Sequence, residues 1–160
     1  MLHTLSVGDV MVKNVITVYA DQTVRQAALV MSVKEIGCLV VLEKTRVVGI
    51  ITEQDLIRRV IAVSKDPDET LVKDIMSTPP VVVEPRLVLE EAVKLMFIHK
   101  IKKLIVVQGE EKEKMLVGLI TLTDIARIEP ILMETLKALF EANKEDPPRR
   151  IEKVMNYYIV

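Results

Sequence analysis

Residues 48–55 read VGIITEQD, and almost the same letters return at residues 117–124 as VGLITLTD. Each copy is an apolar run that ends in a threonine, with an aspartate three residues further on and a helical pattern behind it. An apolar run of this length followed by helical periodicity is typical of a strand that leads into a helix. The sequence therefore predicts the same strand–helix junction twice.

The duplication covers most of the chain. The tripeptide DVM at residues 9–11 returns as DIM at residues 74–76, which is 65 residues later, whereas the two junctions lie 69 residues apart. The difference places a four-residue insertion between two strands of the second copy, in the charged stretch at residues 108–115. Repetition of this kind indicates that one structural unit occurs twice.

Each copy has the pattern of a β-α-β-β-α unit. In the first copy we predict strands at residues 15–18, 38–42 and 47–51, a helix at residues 24–34, and a second helix after the junction. The corresponding elements of the second copy are strands at residues 81–83, 104–107 and 116–120 and a helix at residues 89–99. Because the longer strands are unbroken aliphatic runs, both faces of the sheet should be buried, with helices packed against it. The predicted fold class is α+β.

Neither copy is large enough to bury a comfortable core alone, so we expect the two to pack as a pair. Residues 7–63 form the first repeat, residues 72–128 form the second, and the polar stretch at residues 64–71 links them. Residues 129–160 comprise a further helix, for which Pro130 suits the first turn, and an apolar tail. Two roles stay open for this tail, which could cover the protein's own core or contact a second protein.

The composition restricts the classes of function. The 160 residues carry a net charge of −1 and are 50% hydrophobic and 3% aromatic, without tryptophan. The core is therefore aliphatic, and the balanced charge gives no reason to expect a nucleic-acid or membrane-surface partner. No apolar run approaches the roughly 20 residues that span a bilayer, and the first residues lack a secretory signal, so we expect a cytoplasmic protein.

The sequence contains no motif for catalysis or metal binding. Cys38 is the single cysteine, so it cannot form an internal disulfide, and its aliphatic strand predicts a buried thiol. His3 and His99 are far apart in the sequence, which argues against a zinc site, and no motif supports Cys38 as a nucleophile. We therefore do not expect an enzyme.

The junction itself permits two interpretations. In the structural one, the threonine caps the following helix and the aspartate lies in its first turn, where a carboxylate interacts well with unpaired backbone N–H groups. In the functional one, a carboxylate at the end of a parallel-type strand accepts hydrogen bonds from ribose hydroxyls, while the threonine and the helix N-terminus meet phosphate oxygens. Gly49 and Gly118 could serve either close ligand approach or packing.

Taken in order, these motifs resemble the tandem cystathionine-β-synthase (CBS) domain pair, also called a Bateman module, in its stand-alone form. The resemblance covers residues 7–127 and rests on three features that each occur twice. They are the DVM and DIM openings, the aliphatic segments at residues 36–41 and 101–106, and the G-x-x-T-x-x-D endings at residues 49–55 and 118–124.

The resemblance implies a regulatory module that binds an adenine nucleotide (AMP, ADP or ATP) or an S-adenosylmethionine-type ligand in clefts between its repeats, with no catalytic cofactor. It also implies that the two repeats pack as a pseudo-twofold pair, that the protein is a homodimer, and that it regulates a partner protein, which the sequence does not identify. Asp55 and Asp124 would then hold ribose hydroxyls, and Thr52 and Thr121 would contact ribose or phosphate. The adenine would lie against strand backbone, at Ile16, Thr17, Val18, Cys38, Leu39 and Val40 in one site and at Pro80, Val81, Val82, Lys103, Leu104 and Ile105 in the other.

The two copies differ where the second strand begins. Gly37 and Cys38 of the first copy correspond to Lys102 and Lys103 of the second. In the family, basic residues at this place reach the phosphates of the ligand, so the resemblance implies unequal phosphate recognition in the two clefts. Further candidates for a phosphate contact are Lys100, His99, Arg58 and Arg127. A solvated helix end would explain the same lysines, because the helix dipole favours cations there.

A second class of function also stays open. In an assembly protein the repeats would be structural, the Thr-x-x-Asp pairs would be helix caps alone, and the C-terminal tail would recruit a partner. Such a protein would bind no nucleotide.

Overall fold

Two copies of one β-α-β-β-α unit make up the fold, which a computed structural model describes over residues 4–142. The first copy contains helix α1 (Val7–Val10), strand β1 (Thr17–Tyr19), helix α2 (Val24–Lys34), strands β2 (Cys38–Glu43) and β3 (Arg46–Thr52), and helix α3 (Glu53–Leu56), which continues as a π-helical turn (Ile57–Ile61). The second contains α4 (Val72–Ile75), β4 (Val82–Val83), α5 (Leu89–His99), β5 (Lys103–Gln108), β6 (Met115–Thr121) and α6 (Leu122–Ile128), and helix α7 (Pro130–Ala142) follows. The predicted α+β class is confirmed, and so are the predicted bounds of helices α2 and α5.

Each repeat has its own three-stranded sheet. β1 pairs with β2 in parallel, β2 pairs with β3 antiparallel, and β4, β5 and β6 repeat this arrangement. The strands that end at Thr52 and Thr121 are antiparallel to their neighbours, because a short connection between β2 and β3 forms a hairpin. The expectation of a parallel-type strand at the junction is therefore wrong. The register places Cys38 opposite Thr52 and Lys103 opposite Thr121, so the residues at which the copies differ lie beside the junctions.

The first strand of each copy is shorter than its aliphatic run predicts. β1 begins at Thr17 rather than at residue 15, and β4 begins at Val82 rather than at residue 81. The preceding carbonyl groups of Ile16 and Val81 accept hydrogen bonds of 3.3 Å from β2 and β5, but the paired residues of the ladder start one position later.

The repeats exchange their opening segments. The Val7 N–H of α1 donates to the Leu87 carbonyl of the second repeat at 2.7 Å, and the Val72 N–H of α4 donates to the Gln22 carbonyl of the first at 2.8 Å. Val7 is buried in the apolar cluster of the second repeat, and Val72 is buried in that of the first. The boundaries 7–63 and 72–128 therefore describe the chain, whereas each packed unit takes its first helix from the other copy.

Reciprocal bridges relate the two halves. Val12, which follows α1, pairs with Leu119 of β6, and Ser77, which follows α4, pairs with Ile50 of β3. The two pairs occupy matching positions in the repeat, so each copy contributes the same segment to the last strand of the other. This reciprocity is the pseudo-twofold arrangement that the resemblance implies.

The two repeats also share an apolar layer. Val40 of β2 and Ile105 and Val107 of β5 are buried together in it. Partly buried side chains of both repeats surround them: Val15, Leu42, Val47, Ile50, Leu116 and Leu119. Burying this common surface joins two units that are each too small for a large core.

Helix α7 covers the second repeat. It was predicted to reach about residue 143 and is described as far as Ala142, and its Met133 and Leu136 are buried in the cluster of the second repeat. For this helix the protein's own core is thus the surface that is covered, whereas the predicted apolar tail lies outside the described residues. No helix within residues 4–142 is both long enough and apolar enough to cross a membrane.

Two glycines permit the close approach of the exchanged segments. A Cβ atom at Gly49 would lie 2.8 Å from the carbonyl oxygen of Ser77 and 2.7 Å from Sδ of Met76. In the other half, a Cβ atom at Gly118 would meet side-chain atoms of Met11. Of the two roles that the sequence left open for these glycines, the structure supports packing.

We expect Gly49→Ala to lower the free energy of unfolding by about 2 kcal/mol, because backbone must move to admit the new methyl group. Urea unfolding of the native and variant proteins measures the difference. Gly37→Ala is the matched control, since its Cβ would lie 3.5 Å from the flexible carboxylate of Glu53, which is an ordinary contact distance. Equal losses in the two variants would contradict the packing role of Gly49.

Candidate functional site

A cleft of about 520 Å³ opens between the two repeats. Its volume lies within the range of about 300–1,000 Å³ that small-molecule sites occupy. The lining includes eight of the residues predicted as ligand contacts: Thr52 and Asp55 from the first repeat, and Pro80, Val81, Lys102, Lys103, Ile105 and Thr121 from the second. The junction of one repeat is thus combined with the strand backbone of the other.

The other predicted contacts do not line this cleft. They are Ile16, Thr17, Val18, Cys38, Leu39, Val40, Val82, Leu104 and Asp124. Leu39, Val40 and Leu104 have fully buried side chains, so a ligand could reach only their backbone. In the repeat, Asp124 corresponds to Asp55, and residues 38–40 correspond to residues 103–105.

The junction of the first repeat is a complete helix cap. The Thr52 hydroxyl oxygen accepts from the Asp55 N–H at 3.3 Å, and Asp55 Oδ2 accepts from the Thr52 N–H at 2.9 Å and from its hydroxyl at 3.1 Å. Thr121 and Asp124 make the same three contacts at 3.1, 3.1 and 2.7 Å. The capping interpretation is therefore confirmed in both copies.

Capping does not exclude ligand binding by the same aspartate. All the cap contacts of its carboxylate use Oδ2, and the other oxygen of Asp55, Oδ1, lies 3.7 Å from Nε of Arg59. The Asp55 side chain is 12% exposed and lines the cleft. One carboxylate can thus hold the helix with one oxygen and accept a ligand hydroxyl with the other.

Lysines form a cationic part of the cleft wall. Lys100 ends helix α5 in the left-handed conformation (φ 55°), and Lys102 and Lys103 follow as β5 begins. The pKa of Lys102 is lowered, first by partial burial and then by the neighbouring charge of Lys103. Two ammonium groups that repel each other favour an anion between or beside them. His99, Arg58 and Arg127 do not line the cleft.

Cys38 lies beside this lysine cluster. Burial raises the pKa of its thiol, and the charge of Lys103 and a hydrogen bond from it act in the opposite direction. The predicted buried thiol is partly exposed rather than fully enclosed, because β2 begins at this residue. A thiol with a raised pKa is largely protonated near neutral pH and is a poor nucleophile.

Several lining residues were not predicted. Three of them occupy the variable positions between the threonine and the aspartate of the junctions: Glu53, Gln54 and Thr123. The Thr-x-x-Asp motif could therefore have been used to predict them. Ser77 and Pro79 belong to the exchanged segment, and no local pattern could place them beside the other repeat. The lining holds three lysines against the two carboxylates of Glu53 and Asp55, so positive charge prevails.

The site lacks the grouping of side chains that a metal centre needs. Within residues 4–142 no three His, Cys, Asp or Glu side chains are arranged to hold a metal ion. The available chemistry is hydrogen bonding to hydroxyl groups, neutralisation of an anion, and contact with a flat apolar group along strand backbone.

Comparison with known proteins gives consistent matches. A family model described as the CBS domain matches residues 7–62 and 72–130. An uncharacterised protein of Methanopyrus kandleri is 37% identical over 146 residues, which cover 91% of this chain and 73% of that protein. Inosine-5'-monophosphate dehydrogenase of Methanocaldococcus jannaschii is 36% identical over 121 residues, which cover 74% of this chain but 22% of that enzyme.

Solved structures share the arrangement as well. The hexameric CBS-CP12 protein from bloom-forming cyanobacteria superposes with a TM-score of 0.73 at 31% sequence identity, covering 96% of this chain and 90% of that one. The similarity therefore extends over both repeats and their relative placement.

Proposed function

The chain belongs to the CBS domain family and carries two copies of the domain, and from this premise we propose that it is a sensor of adenine nucleotides with no catalytic activity of its own. The observation that supports the proposal is one cleft that Asp55 of the first repeat lines together with Lys102 and Lys103 of the second. A hydroxyl acceptor and a phosphate-binding cluster about one small cavity suit a ribose phosphate.

The parts of the nucleotide have distinct places in this proposal. Asp55 Oδ1 accepts from the ribose hydroxyls, and the lysines neutralise the phosphates. The adenine lies along the backbone at residues 79–81 and at Ile105, where the Pro79 and Pro80 carbonyls can accept from its edge and the Val81 N–H can donate to it. S-adenosylmethionine is the weaker candidate for this cleft, because its sulfonium cation would face the lysines.

The corresponding ligand position around Asp124 has no matching lysines of its own. Glu35, Gly37 and Cys38 occupy the positions that correspond to Lys100, Lys102 and Lys103. We propose that ribose recognition by Asp124 is kept there while phosphate recognition is weak. We therefore expect one phosphorylated nucleotide per chain. It would bind in the cleft lined by Lys100, Lys102 and Lys103, which we call the lysine cleft.

Regulation would follow from the position of the ligand between the repeats. A nucleotide that touches both repeats favours the arrangement that it fits best, and so changes the surface that a partner protein meets. Micromolar affinity corresponds to about 8 kcal/mol, which exceeds what is needed to bias two packed units. Self-association belongs to the proposal because a similar protein is hexameric.

The experiment is a calorimetric titration of ligand-free protein with adenosine, AMP, ADP, ATP and S-adenosylmethionine, with CMP as the control for the base. We expect micromolar binding of the phosphorylated adenine nucleotides at one site per chain, weaker binding of adenosine, and no binding of CMP. Absence of heat with every adenine ligand would contradict the proposal.

An assembly role is the second candidate, and the complete caps favour it, since Thr52 and Asp55 already have a structural task without ligand. It predicts that replacing Asp55 and Asp124 lowers stability and changes no binding. The sensor predicts that Asp55→Asn, which can keep the cap, abolishes nucleotide binding, so binding rather than stability separates the two functions.

A further inference from the structure

Arg59 connects Asp55, which lines the lysine cleft, to the exchanged segment of the second repeat. It lies four residues after Asp55, and its Nε is 3.7 Å from Asp55 Oδ1. Its Nη1 donates to the carbonyl oxygen of Ile75 at 2.7 Å and to that of Met76 at 3.3 Å. One guanidinium group thus touches the candidate ribose acceptor of the first repeat and the exchanged segment of the second.

The exchanged segment leads directly into the cleft wall. Met76 packs against Gly49, and the next residue, Ser77, lines the cleft. Ser77 donates its N–H to the Ile50 carbonyl at 2.9 Å and accepts from the Ile50 N–H at 3.2 Å. A group that holds the carbonyls at residues 75 and 76 therefore also fixes where the wall at Ser77 lies.

The local backbone differs between the copies at this point. Arg59 lies in the π-helical turn (Ile57–Ile61), whereas the corresponding helix α6 stays α-helical to its end at Ile128. Ile128 occupies the position that corresponds to Arg59, so Asp124 has no cation four residues after it. π-helical turns are rare and are found frequently at functional sites.

An ordinary surface ion pair does not account for this arrangement. The pair with Asp55 is long, and the Arg59 side chain is 48% exposed, so the charge attraction alone contributes little. The two carbonyl contacts fix the planar guanidinium in one orientation, and this orientation presents Nε to the carboxylate. The backbone contacts thus hold the Arg59 side chain in a position from which it can hold the Asp55 carboxylate.

We propose that Arg59 is a positioning residue, which keeps Asp55 Oδ1 directed into the lysine cleft and ties it to the wall at Ser77. Ligand binding at this cleft would then tighten the contact between the first repeat and the exchanged segment of the second. The junction of the second repeat has Ile128 at the position of Arg59, and this apolar side chain cannot make such a connection to Asp124. The part of this inference that concerns ligand rests on the proposed function.

The ligand-free protein tests the connection to the wall by amide hydrogen exchange. In Arg59→Met the amides of Ser77 and Ile50 should exchange at least about 10-fold faster, because the segment loses two hydrogen bonds from a charged donor. The amides of Val12 and Leu119, which form the counterpart bridge, should be unchanged. Ile128→Met is the matched control and should leave both bridges unchanged.

Nucleotide binding tests the positioning of Asp55. The native protein should bind AMP about 10-fold more tightly than 2′-deoxy-AMP, the value of one hydrogen bond to a charged acceptor. Arg59→Met should weaken AMP binding and bring this ratio close to one, whereas Arg59→Lys should keep part of it. A merely structural role would weaken both nucleotides equally and leave the ratio as it was.

The outcomes separate the two proposals. Unchanged exchange at Ser77 in Arg59→Met overturns the connection to the wall, and an unchanged ratio of AMP to 2′-deoxy-AMP affinity overturns the positioning of Asp55. If the native protein binds no adenine nucleotide, the proposed function fails, and hydrogen exchange alone then decides whether Arg59 holds the wall.

Discussion

Asp55→Asn is expected to lower the affinity for AMP by about 100-fold or more, while the melting temperature changes little. The cap contacts of Asp55 use Oδ2, and the amide oxygen of asparagine can accept the same bonds from Thr52. The oxygen that faces the ligand becomes an NH₂ group, which cannot accept from a ribose hydroxyl. Two hydrogen bonds to a charged acceptor contribute together about 3 kcal/mol, which is roughly 100-fold in affinity.

Calorimetric titration with AMP and scanning calorimetry of the same preparations measure the two quantities. Asp124→Asn is the matched control, because Asp124 makes the same cap contacts with Thr121 but does not line the lysine cleft. It should leave AMP affinity at that cleft within about threefold of the native value. Equal effects of the two substitutions on AMP binding would contradict the assignment of the ribose to Asp55.

This prediction depends on a point that the sequence posed as a choice. A Thr-x-x-Asp junction could be a cap or a ligand site, and spacing alone could not decide between them. The structure shows that the cap is real and that it occupies one carboxylate oxygen only. The two interpretations are therefore compatible. The remaining question is which carboxylate oxygen caps the helix and which one accepts from a ligand.

Local patterns predicted the local structure well. Helices α2 and α5 begin and end at the predicted residues, because helical periodicity in the sequence covers the same residues in each copy. The sheets follow from unbroken aliphatic runs and short hairpins. These features depend on neighbours in the chain, which a single sequence contains.

The exchange of opening segments could not be predicted in the same way. It depends on hydrogen bonds such as Val7 to Leu87 and Val72 to Gln22, which join distant parts of the chain and leave no local pattern. The lining of the cleft could not be predicted completely either, because Ser77 and Pro79 reach it only through the exchange of opening segments. For the same reason the role of Arg59 is invisible in the sequence, where it is one of two adjacent arginines on a helix.

The duplication explains why the two junctions have the same backbone arrangement while the residues near them differ in charge. Backbone positions follow from the repeat, so both aspartates are capped alike, whereas side chains at matching positions are independent. Lys100 matches Glu35, and Lys103 matches Cys38. Electrostatics should therefore distinguish the clefts more strongly than shape does.

The double variant Lys102→Met/Lys103→Met is expected to lower ATP affinity by about 100-fold, AMP affinity by about 10-fold, and adenosine affinity hardly at all. An ammonium group about 4 Å from a phosphate charge gains up to about 4 kcal/mol at an effective dielectric constant of 20, and solvent exposure reduces this to a fraction. Each added phosphate charge increases the loss, so the preference among adenosine, AMP and ATP measures the lysines directly.

Titrations at two salt concentrations complete this test. Affinity of the native protein for ATP should fall with added salt, and the dependence should be smaller in the double variant, because fewer charges are then screened. Lys94→Met is the matched control, since Lys94 pairs with Glu90 and Glu91 on helix α5 and does not line the cleft. If the double variant lost affinity equally for adenosine and ATP, the lysines would support the shape of the cleft rather than bind phosphate.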